Sequence, residues 1–225
     1  MSHRRSVAID GPAGSGKSTV ARGLARELGF RYVSTGDFYR ALALATLRKG
    51  VDPSNARDVE RLAMESRIEL LEAEDGGQRT FLDGEDVSEA LRGADVDAVV
   101  SPVSVHPEVR KCLVGIQRRI ADHSDVVMDG RDIGTVVLSE SEHKFFLTAS
   151  PEERARRRQN DYSRRGRAGD FDTVLEEVLS RDRIDSGRAT APLTVAPGAV
   201  VIDCTRMSAD EVIGEMLRTL EGARS

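Results

Sequence analysis

The chain is poor in cysteine and has no apolar run that approaches the length of a membrane span. Cys112 and Cys204 are the only cysteines among 225 residues, and they lie far apart in the sequence. A membrane-spanning helix needs about 18 consecutive apolar residues. Residues 1–6 are polar and lack the apolar segment of a signal peptide. We therefore expect reduced, buried cysteines, a cytoplasmic location and no membrane partner.

Basic residues are not in excess either. The 33 lysines and arginines against 38 aspartates and glutamates give a net charge of −5, which argues against a constitutive nucleic-acid-binding protein. The four histidines show no metal-ligand spacing, so we expect no zinc site. Hydrophobic residues make up 39% of the chain, which suits one sizeable α/β domain with a small insert.

The sequence does contain a glycine-rich phosphate-binding motif. Residues 11–18 read GPAGSGKS and match G-x-x-x-x-G-K-[ST] at every fixed position. Glycines let backbone N–H groups surround the phosphates of a nucleoside triphosphate, the lysine reaches the β- and γ-phosphates, and the hydroxyl binds Mg²⁺. The residues expected to bind ATP here are Gly11, Pro12, Ala13, Gly14, Ser15, Gly16, Lys17, Ser18 and Thr19.

The surroundings of this motif favour the phosphate-binding interpretation over an ordinary Gly/Ser turn. A short β-branched run ends at Asp10, and Val20, Leu24 and Leu28 then fall on one helical face before Gly29. Further strands are predicted near 32–34, 126–129, 144–147 and 200–203, with helices between them. Pro107 opens one helix, and capping boxes at 150–153 and 208–211 open two more. This alternation predicts a five-stranded parallel sheet flanked by helices.

One segment breaks the alternation. Apolar residues stand at 68 and 70, at 81 and 82, and at 87, separated by Asp75-Gly76-Gly77 and Asp83-Gly84. This pattern predicts a small antiparallel insert at about 64–99. The core then comprises 1–63, 100–150 and 189–225.

Several charged residues follow predicted strands, where open α/β sheets bind ligands. Asp129 ends an apolar run and is the expected partner of Ser18 in holding Mg²⁺, although a strand-end aspartate also caps turns. Arg131 suits a bidentate grip on phosphate, against the alternative of a surface pair with Asp132. Arg40, one turn into a helix, either points into the same crevice or is solvated.

Seven arginines lie between 154 and 167, interrupted by Gly166 and followed by an apolar-faced helix. A helix, an arginine-rich loop and a second helix over 151–188 predict a mobile lid over the triphosphate. The alternative, a basic nucleic-acid patch, lacks interleaved aromatic residues apart from Tyr162. Further along, Arg181, Asp185 and Arg188 share one helical face, either as site residues or as a salt-bridge ladder.

Taken together, these segments resemble the bacterial cytidylate kinases, members of the nucleoside monophosphate kinase group of phosphate-loop proteins. The resemblance covers nearly the whole chain. Its marks are IDGPAGSGKST at 9–19, STGDFYR at 34–40, LDGEDVS at 82–88, VSPVSVHPEVR at 100–110, DGRDIGTVV at 129–137 and RDRIDSGRATAPL at 181–193.

The resemblance implies transfer of the γ-phosphoryl group of ATP to CMP or dCMP by a monomeric, Mg²⁺-dependent enzyme. Lys17, Arg131 and Arg188 are the implied catalytic residues, and Arg154 and Arg157 the implied lid ligands of ATP. The CMP contacts it implies are Thr35, Arg40, Ser101, Arg110, Arg131, Asp132, Arg181, Asp185 and Arg188. Asp132 and Arg110 suit the N4 donor and the O2/N3 acceptors of cytosine.

Three other functions compete with this interpretation. A kinase for another small acceptor, with UMP as the closest competitor, keeps the same donor site. A GTPase-like switch would need an N-K-x-D element, but neither Asn55 nor Asn160 precedes a lysine. An RNA-associated protein using the arginine run is disfavoured by the net charge.

Overall fold

Strands and helices alternate along the chain in the computed structural model, which describes residues 4–73, 77–164, 166 and 169–222. The strands are β1 (Ser6–Asp10), β2 (Arg31–Ser34), β3 (Ile68–Glu72), β4 (Gln78–Leu82), β5 (Glu85–Asp86), β6 (Val126–Gly130), β7 (His143–Thr148) and β8 (Val200–Asp203). The helices are α1 (Lys17–Leu28), α2 (Gly36–Arg48), α3 (Ala56–Glu65), α4 (Ala94–Ser104), α5 (Pro107–His123), α6 (Pro151–Arg164), α7 (Phe171–Gly187) and α8 (Ala209–Gly222).

The main sheet is parallel and has the order β2-β6-β1-β7-β8, so all five strands predicted from sequence are confirmed. Ile9 of β1 and Ser34 of β2 both lie opposite Asp129 of β6. This register brings the carboxyl ends of the three strands to one edge of the sheet. Loops that follow these strands therefore start side by side, which is where ligands bind in such sheets.

Both faces of the sheet are buried, which explains the continuous apolar runs of the strands. Ala8 and Met128 face a core formed with α2, α3, α4 and α5. Val7, Ile9 and Val127 face a second core formed with α1 and α8. Because the inner strands pack against a core on each face, their pairing register is fixed to the residue.

The predicted antiparallel insert is present as a three-stranded sheet of order β3-β4-β5. Asp75 and Gly76 of its predicted turn lie outside the described residues. Ile68, Leu70 and Leu82 are buried in the same core as α2 and α4, so the insert packs onto the main domain. The predicted limits at 64 and 99 fall within α3 and α4, and the subdivision itself stays a prediction.

The arginine-rich segment is more helical than predicted. Arginines 154, 156, 157, 158 and 164 lie in α6, while Arg165 and Arg167 lie outside the described residues. Arginine is a good helix former, and Glu153 pairs with Arg157 one turn later at 3.0 Å. The helices α6 and α7 share a small core of Ala155, Tyr162, Val174 and Val178.

The two predicted capping boxes differ. Ser208 and Glu211 exchange both bonds, as expected. At Ser150 only half of the box forms: Glu153 N–H donates to Ser150 Oγ at 3.2 Å, but Ser150 N–H donates to Thr205 Oγ1 instead. The Glu153 carboxylate is drawn away because it accepts a hydrogen bond from Arg157.

Both cysteines are free: Cys204 is buried as expected, whereas Cys112 is only half-buried. Among the helices of the described residues, none combines the length and apolar character that crossing a membrane requires.

Gly11→Ala tests the tight join between β1 and the phosphate loop. Gly11 has φ 150°, and an added Cβ would lie 2.0 Å from the backbone oxygen of Leu147 in β7. We expect a loss of about 2–4 kcal/mol in unfolding free energy, measured by chemical denaturation. Gly214→Ala is the matched control, since its Cβ meets only Arg218 Nη1 at 3.6 Å within a helix. That variant is expected to gain about 0.5–1 kcal/mol; equal stability of both variants would contradict the prediction.

Candidate active site

The phosphate loop ends at the N-terminus of α1, as the motif requires. Gly14 and Gly16 adopt φ of 77° and 90°, and α1 begins at Lys17. The Lys17 ammonium group is buried and donates to Pro12 O at 2.6 Å across the loop. Burial, with the positive charge of Arg131, holds the pKa of Lys17 well below its usual value. Loop N–H groups, the helix dipole and this ammonium together favour a bound anion.

Ser18 and Asp129 meet at the mouth of the loop. Ser18 Oγ donates to Asp129 Oδ2 at 2.8 Å, and Tyr32 OH donates to Asp129 Oδ1 at 3.0 Å. Burial raises the pKa of Asp129, while Lys17 and the two hydroxyl donors oppose that rise. A hydroxyl and a carboxylate at this separation are hard oxygen ligands of the kind Mg²⁺ uses alongside phosphate oxygens and water. The donor set therefore fits the predicted metal.

Three arginines surround the carboxylate of Asp185. Its buried carboxylate accepts from Arg131 Nε at 2.7 Å and from Arg188 Nη2, and Arg181 Nε lies 4.0 Å away. Burial would raise the pKa of Asp185, but Arg131, Arg188 and Arg181 hold it below its usual value. Burial and the neighbouring Arg131 lower the pKa of Arg181 to about 9. Three cations around one carboxylate leave an excess of positive charge for an anion.

These groups line one cleft of about 490 Å³. Arg40 reaches it from α2, where it donates to Leu91 O at 2.9 Å and to Asp97 Oδ1 at 2.7 Å. Among the predicted residues, the cleft lining includes Ala13, Gly14, Gly16, Lys17, Ser18, Thr19, Thr35, Arg40, Arg110, Asp129, Arg131, Asp132, Arg181, Asp185 and Arg188. The alternative of an Arg131–Asp132 surface pair is wrong, because each residue binds a different partner.

Arg110 and Asp132 form a buried pair at one part of this lining. Arg110 Nη2 donates to Asp132 Oδ2 at 2.5 Å and Nη1 donates to Ser104 O at 3.2 Å. The Arg110 guanidinium also lies 5.3 Å from the centre of the Tyr39 ring. The pair is therefore fixed on several sides, and both residues line the cleft.

Six predicted residues lie outside the lining: Gly11, Pro12, Ser15, Ser101, Arg154 and Arg157. On α4 the residues that line the cleft are Asp97, Val100 and Ser104, and Ser101 is turned about 100° from Val100 around the helix. Arg154 and Arg157 contact the phosphate loop from behind, at Ala13 O and Ser15 O. The arginine of α6 that does line the cleft is Arg158. The assignment of Ser101, Arg154 and Arg157 as ligands stays a prediction.

Asp10 supports the site but was not among the residues predicted from sequence. At the end of β1, its carboxylate accepts from Ile133 N at 2.7 Å and from Gly134 N at 2.7 Å. It thereby fixes the turn that follows Asp132. Burial raises the pKa of Asp10 to about 6, although the two N–H donors oppose the rise. Its position as the last polar residue before the loop was the only available signal.

Comparison with known proteins identifies the family and supports the fold. The family model for cytidylate kinase matches residues 7–222. A cytidylate kinase of Caldanaerobacter subterraneus subsp. tengcongensis is 51% identical over 207 residues, covering 92% of this chain and 90% of its own. One from Mycobacterium avium is 51% identical over 220 residues, covering 97% and 96%. A solved structure of an uncharacterized protein from Eubacterium ventriosum has a TM-score of 0.53 at 13% identity, covering 97% of this chain and 99% of that one, and shares the fold.

The buried Asp10 predicts a pH dependence of stability. Because its folded pKa of about 6 exceeds the unfolded value of 3.8, the folded protein keeps this proton between those values and the unfolded chain loses it. The contribution of Asp10 to stability therefore falls as pH rises from about 4 to 6, by up to about 3 kcal/mol.

Unfolding by urea at several pH values checks this against Asp10→Asn, which cannot titrate. The difference in unfolding free energy, native minus variant, should decrease through that window and level off above it. Parallel pH curves for the two proteins would show that Asp10 does not titrate there.

Proposed function

The chain belongs to the cytidylate kinase family, and from that premise we propose that it transfers the γ-phosphoryl group of ATP to CMP or dCMP. The products are ADP and CDP or dCDP. The observation that carries the proposal is one cleft lined both by the phosphate loop with Lys17 and by Arg40, Arg131 and Arg188. Two polyanions can bind there end to end, each against its own set of cations.

The donor end is the phosphate loop. Its backbone N–H groups and Lys17 bind the phosphates of ATP, so Lys17 exchanges its bond to Pro12 O for phosphate oxygens. Ser18 and Asp129 would hold Mg²⁺, directly or through its waters. When bound, the metal neutralises charge that develops on the β- and γ-phosphate oxygens.

The acceptor phosphate binds to Arg40, Arg131 and Arg188. Its second pKa is near 6, about one unit below neutrality, so it is already a dianion and no general base is needed. Catalysis then consists of placing the acceptor oxygen in line with the γ-phosphorus and stabilising charge. Arginines already fixed by Asp185 do this without reorganising.

The nucleoside binds where Arg110 and Asp132 form their pair. The Asp132 carboxylate accepts from the N4 amino group of cytosine, and Arg110 donates to its ring acceptors. Ser101 is carried over as a base contact on resemblance alone. Arg181 and Asp185 bind near the ribose, and the Thr35 hydroxyl, which donates to Asp129 O at 2.8 Å, lies close to the acceptor.

We also propose that residues 151–188 act as a lid. The α6–α7 pair has its own small core, and Arg158 Nη2 lies 3.6 Å from Asp97 Oδ2 across the cleft. This side-chain contact between the lid and α4 can break while Arg154 and Arg157, near the start of α6, keep their bonds to the phosphate loop, so the motion is confined to the part of the lid beyond them. A monomeric state and a cytoplasmic location stay predictions.

An acceptor panel tests the activity. Purified protein with ATP and Mg²⁺ should consume ATP with CMP and dCMP, less with UMP, and little with AMP or GMP, measured as ADP formation. Lys17→Ala should abolish turnover with every acceptor, because its buried ammonium lies within the phosphate loop, 2.6 Å from Pro12 O. EDTA should stop the native enzyme. Preference for a purine monophosphate, or no turnover of any pyrimidine monophosphate, would refute the proposal.

Asp132→Ala tests base recognition. Removal of the acceptor for N4 should lower the ratio of kcat/KM for CMP over UMP by about 10- to 100-fold. Asp122→Ala, an exposed aspartate on α5, is the matched control and should leave the ratio unchanged. An equal loss with both acceptors would mean that Asp132 only supports the fold of the site.

A further inference from the structure

We propose that Arg154, Arg157 and Asp182 form a clamp that holds the phosphate loop from behind, and that the two arginines are positioning residues and not ligands of ATP. This α6–α7 clamp rests on the proposed function for its effect on turnover. Its effect on loop mobility is independent of the substrate.

The clamp supplies hydrogen-bond donors to carbonyl groups of the loop backbone. When successive N–H groups converge on a phosphate, the carbonyl groups of the same peptides point away and need donors elsewhere. Arg154 Nη1 donates to Ala13 O at 3.2 Å, and Arg157 Nη1 donates to Ser15 O at 3.2 Å. The two arginines are three residues apart on one face of α6, which matches carbonyls two residues apart in the loop.

Arg154 has little capacity left for a phosphate. Its side chain is 4% exposed. Nε donates to Ala149 O at 3.0 Å, and the guanidinium binds both carboxylate oxygens of Asp182 at 2.9 and 2.6 Å. With the bond to Ala13 O, four of its five N–H groups are used. Such a bidentate pair fixes the guanidinium in orientation as well as position.

Arg157 is held in the same way. Nε donates to Glu153 Oε1 at 3.0 Å, and Nη2 donates to Cys204 O at 2.7 Å in the segment after β8. The loop is thereby tied to the far edge of the sheet as well as to α6.

Close packing supports the same assignment. An added Cβ on Gly14 would lie 2.9 Å from Arg154 O and 3.0 Å from Arg154 Cβ. The backbone of α6 is therefore in direct contact with the loop, and the glycine is needed there for space as well as for its φ of 77°.

The clamp also links the donor and acceptor ends of the cleft. Asp182 and Asp185 lie on α7, three residues apart, and Asp185 holds Arg131 and Arg188 at the acceptor end. One rigid helix thus fixes the loop through Asp182 and the acceptor arginines through Asp185. A displacement of the loop of about 1 Å is enough to cost about 100-fold in rate through lost alignment.

Asp182→Asn separates a clamp from a ligand because the two roles predict opposite effects. If Arg154 bound ATP, loss of its carboxylate partner would free it, and KM for ATP would stay the same or fall with kcat retained. The clamp predicts that Asp182→Asn and Arg154→Lys both lower kcat by about 10- to 100-fold, with KM for ATP changed less than about 3-fold. Arg156→Ala, an exposed arginine on the same helix, is the control and should match the native enzyme.

Hydrogen–deuterium exchange of peptides covering residues 11–16 gives a readout that needs no substrate. Arg154→Lys and Asp182→Asn should exchange about tenfold faster there, with exchange in β6 unchanged and circular dichroism native. Unchanged loop exchange, or a KM effect confined to Arg154→Lys, would overturn the clamp. Absence of turnover in the native protein, with loop exchange as expected, would refute the proposed function and leave the clamp standing.

Discussion

The site depends on the carboxylate of Asp185, which allows several guanidinium groups to be buried together. Arg131 and Arg188 bind it directly, and Arg181 lies 4.0 Å away. Without a counter-charge these cations would repel one another in a region shielded from water. With it, the net charge of the group stays positive, so a phosphate is still attracted. The carboxylate also fixes the arginines before substrate arrives, which reduces the side-chain conformational entropy lost on binding.

The same solution recurs along one edge of the sheet. Asp10 ends β1 and accepts two backbone N–H groups, while Asp129 near the end of β6 accepts two hydroxyl groups. Thr35, just after β2, donates to the backbone of Asp129. Three neighbouring strands therefore deliver polar groups to one place because their carboxyl ends are aligned by the register of the sheet. Each buried carboxylate is satisfied by partners from another element, so the site and the fold are specified together.

This arrangement explains which features could be predicted from sequence. The five strands, the phosphate loop and the pairing of Ser18 with Asp129 follow from local patterns and from the rule that strand ends meet. The direction of each arginine side chain on α6 does not follow from local patterns, because arginines at 154, 156, 157 and 158 cover several faces of one helix. Only the packing of α6 against Gly14 decides that Arg158 faces the cleft while Arg154 and Arg157 lie behind the loop. Tyr32 and Asp10 were missed since their partners are about 100 residues away.

The proposed donor and acceptor ends of the cleft are joined twice, through two rigid elements. Asp10 immediately precedes Gly11 of the loop and fixes the turn after Asp132, so β1 connects the loop to the proposed base site. On the other side, α7 connects the loop to the arginines of the proposed acceptor end. A transfer between two bound anions needs the distance between their sites to be held closely, and strands and helices hold such distances better than loops do. Side-chain contacts such as that of Arg158 with Asp97 are then free to change in the proposed lid motion, since neither connection runs through them.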